Sequence, residues 1–226
     1  RYLEQPMLDR GKASWQAGPE QSSDPEIIAP LADPFAPISG IKLLSGNLGR
    51  AILKISALAD GEDTLVEAPA LVFASQQEVE LAFKAGQLQR DLVAVVRFQG
   101  PRANGMPELH KLITWLSISM DQGYKVGLVT DGRLSGASGK VPFAIHCTPE
   151  ALVGGLLAKV QDGDIICMDA RNNLLELKVD ARLLAQREVA QPDFRSSQTA
   201  PGQQMFASLR RILSGAEEGA SLLFPY

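Results

Sequence analysis

At 226 residues, 45% of them hydrophobic, the chain is long enough to bury a core and fits one domain, or one domain with appendages. Its formal charge of -4 comes from interspersed acids and bases without a like-charged run, which argues against an acidic tail or a nucleic-acid-binding arm. No apolar stretch reaches the roughly twenty residues of a membrane helix, and no basic-then-apolar signal opens the chain. A soluble cytoplasmic protein with no nucleic-acid or membrane partner is therefore expected. Cys147 and Cys167 are too few and too distant for a disulfide scaffold or a zinc knuckle, and read as buried thiols. The chain opens on Arg1 without a methionine, so it reads as a piece of something longer.

Residues 1–39 are polar and interrupted by Pro25, Pro30, Pro34 and Pro37, which suits a linker or arm and rules out long helices and central strands. Strand-rich segments follow at 41–44, 51–58 and 64–73. Ser75 and Glu78 form a capping box that predicts a helix stopping near Gly86, and 92–98 reads as a short apolar strand. Pro107 suits the first turn of a helix reaching about Met120, and 124–130 is a buried strand running into a glycine-rich loop. Strand, helix, strand implies a crossover. Thr148 and Pro149 predict a helix over 151–157, and 164–168 pairs with 174–179 across Asn172-Asn173. Residues 40–190 thus read as an α/β, strand-rich domain, and 191–226 as a tail whose amphipathic part, 205–213, suits docking on a partner domain.

Two segments carry chemistry. The first, Gly100-Pro101-Arg102-Ala103-Asn104-Gly105-Met106-Pro107-Glu108, leads from a strand end into a predicted helix start, a place that favours anions. Glu108 there either complements the helix dipole or ligates a hard cation such as Mg2+, and Arg102 is either solvated or a substrate contact. The second is Thr130-Asp131-Gly132-Arg133-Leu134-Ser135-Gly136-Ala137-Ser138-Gly139-Lys140. Its glycines expose backbone while Arg133, Ser138 and Lys140 supply donors for carboxylate or phosphate. Two hairpin turns would explain the glycines but not the clustered donors. A nucleotide P-loop fails, because Leu134 stands where its first glycine is needed and Val141 where its Ser or Thr is needed. His146, between Ile145 and Cys147, reads as a packed residue before it reads as a base, and His110 falls inside a predicted helix.

These segments, followed in order by His146-Cys147-Thr148-Pro149-Glu150, Gly154-Gly155 and Asp162-Gly163-Asp164, resemble the dihydroxy-acid and 6-phosphogluconate dehydratase family over about residues 40–185. Gly136-Ala137-Ser138-Gly139-Lys140, Arg97-Phe98-Gln99-Gly100-Pro101-Arg102 and Leu43-Leu44-Ser45-Gly46-Asn47-Leu48-Gly49-Arg50 look most like its 6-phosphogluconate branch. The resemblance implies a swivelling β/β/α, barrel-like carboxyl-terminal domain that closes over an amino-terminal domain holding an iron-sulfur cluster, of the 4Fe-4S kind. A cluster of that type needs three protein thiolates, and this chain has two cysteines, neither matching the family's ligands.

By the same resemblance Ser135 matches the serine proposed as base, and Glu108 an acid near a divalent cation. The binding set becomes Arg102, Asp131, Arg133, Ser138 and Lys140. The implied reaction is loss of water from 6-phospho-D-gluconate to give 2-keto-3-deoxy-6-phosphogluconate, an Entner-Doudoroff step, in a homodimer. A serine hydroxyl is too weak an acid to serve as a base unless a metal or a cation such as Arg133 stands beside it, which places the site at a domain interface. The rivals are a dehydratase for a dihydroxy acid or an unphosphorylated sugar acid, and a noncatalytic anion-binding domain.

Overall fold

The structure, a computed structural model, describes residues 4–19, 21–35, 40–54, 65–135, 141–194 and 198–223. It divides into two compact units, residues 1–39 and 40–226. In the first unit β1 (Glu4–Asp9) and β2 (Lys12–Ala17) pair as an antiparallel hairpin. The prolines noted in the sequence all lie beyond it. The turn is made by Arg10 and Gly11, both at positive φ (48° and 79°), the conformation that matches the twist of paired strands.

The second unit is a closed eight-stranded barrel. Its strands are β3 (Ile41–Gly46), β4 (Gly49–Lys54), β5 (Leu65–Phe73), β6 (Leu92–Val96), β7 (Val126–Thr130), β8 (Phe143–Thr148), β9 (Ile165–Asp169) and β10 (Leu174–Leu177), in the spatial order β10-β3-β4-β8-β7-β6-β5-β9. From β5 to β8 neighbours run parallel. Parallel neighbours need crossovers, and α1 (Gln76–Lys84) and α3 (Lys111–Asp121) supply those from β5 to β6 and from β6 to β7. Period-two alternation then sorts the all-buried β6 into two cores. Val93 and Val95 face the barrel interior with Leu53, Val129, Ile166 and Met168. Ala94 and Val96 face outward and pack with Val79, Leu112 and Leu116 of the helices.

The barrel closes through residues distant in sequence. Asn47, in the turn between β3 and β4, accepts the Leu177 N–H at 2.8 Å and donates to the Leu177 carbonyl at 2.8 Å, across 130 residues. At the other seam β9 pairs antiparallel with β5.

Several local expectations are corrected. Ser75 does cap α1, accepting the Glu78 N–H, but the Glu78 carboxylate reaches back to the Ala74 N–H. The helix does not begin at Pro107. A short α2 (Pro101–Asn104) comes first, Gly105 and Met106 at positive φ (72° and 52°) end it, and α3 starts only at Lys111. Glu108 is therefore in no helical turn and pairs with Arg133 in an isolated parallel bridge. The helix expected over 151–157 is two 3-10 turns, Ala151–Val153 and Leu156–Lys159, separated by Gly154 at φ 97°. No helix among the described residues is long and apolar enough to cross a membrane.

After β10, α4 (Ala181–Gln186) is capped by Asp180, and Arg187 pairs with the nearly buried Asp164. The last segment carries α5 (Pro201–Met205) and α6 (Ala207–Arg210). It lies against α2, where Gln198 donates to the Ala103 carbonyl and Arg102 to the Leu213 carbonyl.

Candidate active site

The two segments singled out in the sequence meet at the carboxyl ends of β6 and β7, the end of a parallel sheet where open loops leave room for ligands. Asp131 is the post between them. It is fully buried; its Oδ1 accepts the Gln99 N–H at 2.8 Å, and its Oδ2 accepts those of Phe98 at 3.1 Å and Ala151 at 2.9 Å. Burial pushes its pKa up, and the backbone donors pull the other way. Asp131, expected among the substrate contacts, faces no open space here; it ties the β6 and β8 loops to the end of β7.

Glu150 is the acid that sequence reasoning passed over, quoted only as part of a motif. It is buried, and its carboxyl group accepts the Arg102 N–H at 3.1 Å. Gly100 is glycine because a β-carbon there would collide with the Glu150 side chain. Burial first, and the neighbouring Asp131 charge second, push the Glu150 pKa up to about 7. Between its ordinary value of 4.5 and about 7 the folded chain thus holds a proton that the unfolded chain has released. Stability should then fall as pH rises through that window and level off above it, and the Asp131 shift has the same sign. Thermal melts between about pH 5 and 8 test this: Glu150→Gln should flatten the slope, and superimposable profiles would count against it.

Outside this buried frame lies an exposed polar strip. Arg133 donates from Nε to the Met106 carbonyl at 2.8 Å, and its Nη1 lies 3.7 Å from Glu108 Oε2. The other oxygen of Glu108 accepts the Ser135 backbone N–H at 2.8 Å, and Ser135 Oγ lies 3.4 Å from His110 Nδ1. One carboxylate therefore fixes both Arg133 and Ser135. His146 sits at a break in the β4–β8 register with φ 56° and donates its N–H to the Gly132 carbonyl. Burial first, then Arg133, lowers its pKa. Its side chain lines a cleft of about 380 Å³ with Arg50 and Glu217, which form a surface ion pair at 3.1 Å.

Neither cysteine suits a cluster. The buried Cys147 thiol donates to the Leu48 carbonyl at 3.2 Å and is pushed up to about 12, so it stays protonated. Cys167 is buried in β9, its pKa also raised by burial. Among the described residues no group of three or more His, Cys, Asp or Glu could hold a metal ion.

The family model for the dihydroxy-acid/6-phosphogluconate dehydratase C-terminal domain matches residues 26–220. The chain belongs to that family. Phosphogluconate dehydratase of Escherichia coli (strain K12) is 54% identical over 223 residues, which is 99% of this chain and 37% of that protein. The Pseudomonas aeruginosa protein of the same name is 51% identical, covering 97% of this chain and 36% of its own length. A dihydroxy-acid dehydratase of Agathobacter rectalis is 36% identical, covering 89% of this chain and 36% of its own length. The chain spans little more than a third of the relatives it matches.

In this dehydratase-family domain the structure brings Glu108, Arg133 and Ser135 together and sets Arg102 apart. The Arg102 Nε is bonded to the Leu213 carbonyl at 2.6 Å, and Arg102 lines a separate cleft of about 210 Å³ with Glu150 and Glu218. Ser138 and Lys140 lie outside the described residues. Besides Glu150, His110 was missed. Its signal was the alternation Glu108-Leu109-His110 facing Arg133-Leu134-Ser135, which shows only once the two segments are known to lie side by side.

Proposed function

We propose that the chain is the carboxyl-terminal domain of a hydro-lyase that converts 6-phospho-D-gluconate to 2-keto-3-deoxy-6-phosphogluconate and water. What carries the reading is the exposed Ser135 beside Arg133 at the end of β7, with its backbone N–H on Glu108, in a chain about half identical to proteins named phosphogluconate dehydratase. Ser135 Oγ takes the proton from C2 of the substrate, the C3–O bond breaks as hydroxide leaves, and the enol formed tautomerises to the ketone. A positive charge near Oγ lowers the energy of the alkoxide that must act; Arg133 provides one, steered by Glu108. Arg102, Ser138 and Lys140 are proposed substrate contacts.

The 4Fe-4S cluster implied by the family has no ligands among the described residues and belongs, in this reading, to an amino-terminal domain against which Ser135 closes. Glu108 offers a divalent cation one carboxylate, and its other ligands would come from elsewhere. The complete protein is read as a cytoplasmic homodimer.

The test is turnover by the full-length protein of 6-phosphogluconate, gluconate and a branched-chain dihydroxy acid, with a strong preference expected for the first. Lys140→Ala should mainly raise KM and narrow the preference over gluconate, because a charge-assisted bond to phosphate contributes about 1.5–3 kcal/mol. An unchanged preference would remove Lys140 from the phosphate site.

A further inference from the structure

Residues 108–110 and 133–135 run side by side from the Glu108–Arg133 bridge. Leu109 and Leu134 both turn inward, 2% and 5% exposed. Alternation therefore puts Glu108 and His110 on the outer side of one segment and Arg133 and Ser135 on the outer side of the other. There they meet in two pairs, Arg133 with Glu108 and Ser135 with His110.

His110 is at a position where a helix favours Ser, Thr, Asp or Asn, whose side chains bond the free N–H groups of the first turn. It caps α3 with no side-chain bond at all. Its ring is turned instead to Ser135 Oγ, its hydrogen-bonding partner among the described residues. Its backbone carbonyl accepts the Ile113 N–H at 3.1 Å, but its side chain adds no bond to the helix it begins and is turned to the serine.

We propose that His110 is a positioning residue for Ser135: its Nδ1–H donates to Oγ, aims it at the substrate and keeps donating when Oγ is the alkoxide that takes the C2 proton. A separation of 3.4 Å is long for such a bond, and bonds of this kind shorten when a substrate fills the site. No proton leaves His110 in this role, which requires the tautomer with hydrogen on Nδ1. The inference rests on the reading of Ser135 as base.

The experiment compares His110→Ala, His110→Asn and Ser135→Ala in the full-length enzyme. His110→Ala should lower kcat by about tenfold to a hundredfold, the range seen when a reacting group is misplaced, with KM within about twofold. His110→Asn, whose side-chain amide can donate an N–H from near the place of Nδ1, should recover most of that loss. Because Asn is also a better helix cap, rescue cannot be confused with restored folding if the two variants melt at the same temperature. A normal kcat in His110→Ala beside an inactive Ser135→Ala overturns this inference alone, as does a KM defect with kcat intact. Continued C2 exchange in Ser135→Ala overturns the base reading and this one with it.

Discussion

Ser135→Ala in the full-length protein should fold normally and lose most of its kcat, by on the order of a hundred- to ten-thousand-fold, the usual contribution of a positioned general base. The fold should survive because the Ser135 side chain is exposed, and because it is the backbone N–H, not the hydroxyl, that binds Glu108. Exchange of the C2 proton with solvent should disappear together with turnover. Exchange at a near-normal rate would show that another group takes the proton. His146, half-buried beside Arg133 and with a pKa lowered by both, would then be the next residue to replace.

Asp131→Ala should have the largest effect on folding. It removes the acceptor of three backbone N–H groups, those of Phe98, Gln99 and Ala151, at a fully buried position. Each unsatisfied donor costs about 1–3 kcal/mol, so a loss of roughly 3 kcal/mol or more is expected, a large share of the stability of an ordinary domain. Asp131→Asn retains one acceptor oxygen and should lie between. Chemical denaturation of the three proteins measures this, and a midpoint for Asp131→Ala close to that of the parent would show that the loops hold without their post.

Much of the barrel was legible because its strands announce themselves locally. β6 and β7 are continuous apolar runs of the kind buried on both faces, and Asn172-Asn173 marks the hairpin of β9 and β10, with Asn173 at φ 54°. Illegible were the places where glycine and left-handed residues break a run that otherwise reads as helical. Gly105 and Met106 end a short α2 just before the helix expected from Pro107, which starts only at Lys111 and leaves Glu108 outside it, and Gly154 divided the next. The site was half legible for a related reason. Arg133 and Ser135 are near in sequence, whereas their partners Glu108 and His110 are 27 and 25 residues away from Ser135, brought in by the crossover through α3. The burial of Asp131 was not legible, since an acid beside glycine in a loop suits a ligand and a backbone clamp equally well.

The Asn47–Leu177 clasp has a bearing on how the domain comes into being. Until residues 165–177 have left the ribosome, β5 lacks its partner β9 and β3 lacks β10, so a growing chain carries two open strand edges at once. Open edges recruit other strands, and pairings between sequence-distant segments form slowly. The domain is therefore most exposed to aggregation late in its synthesis, and a chain cut short just before β9 keeps both edges open for good.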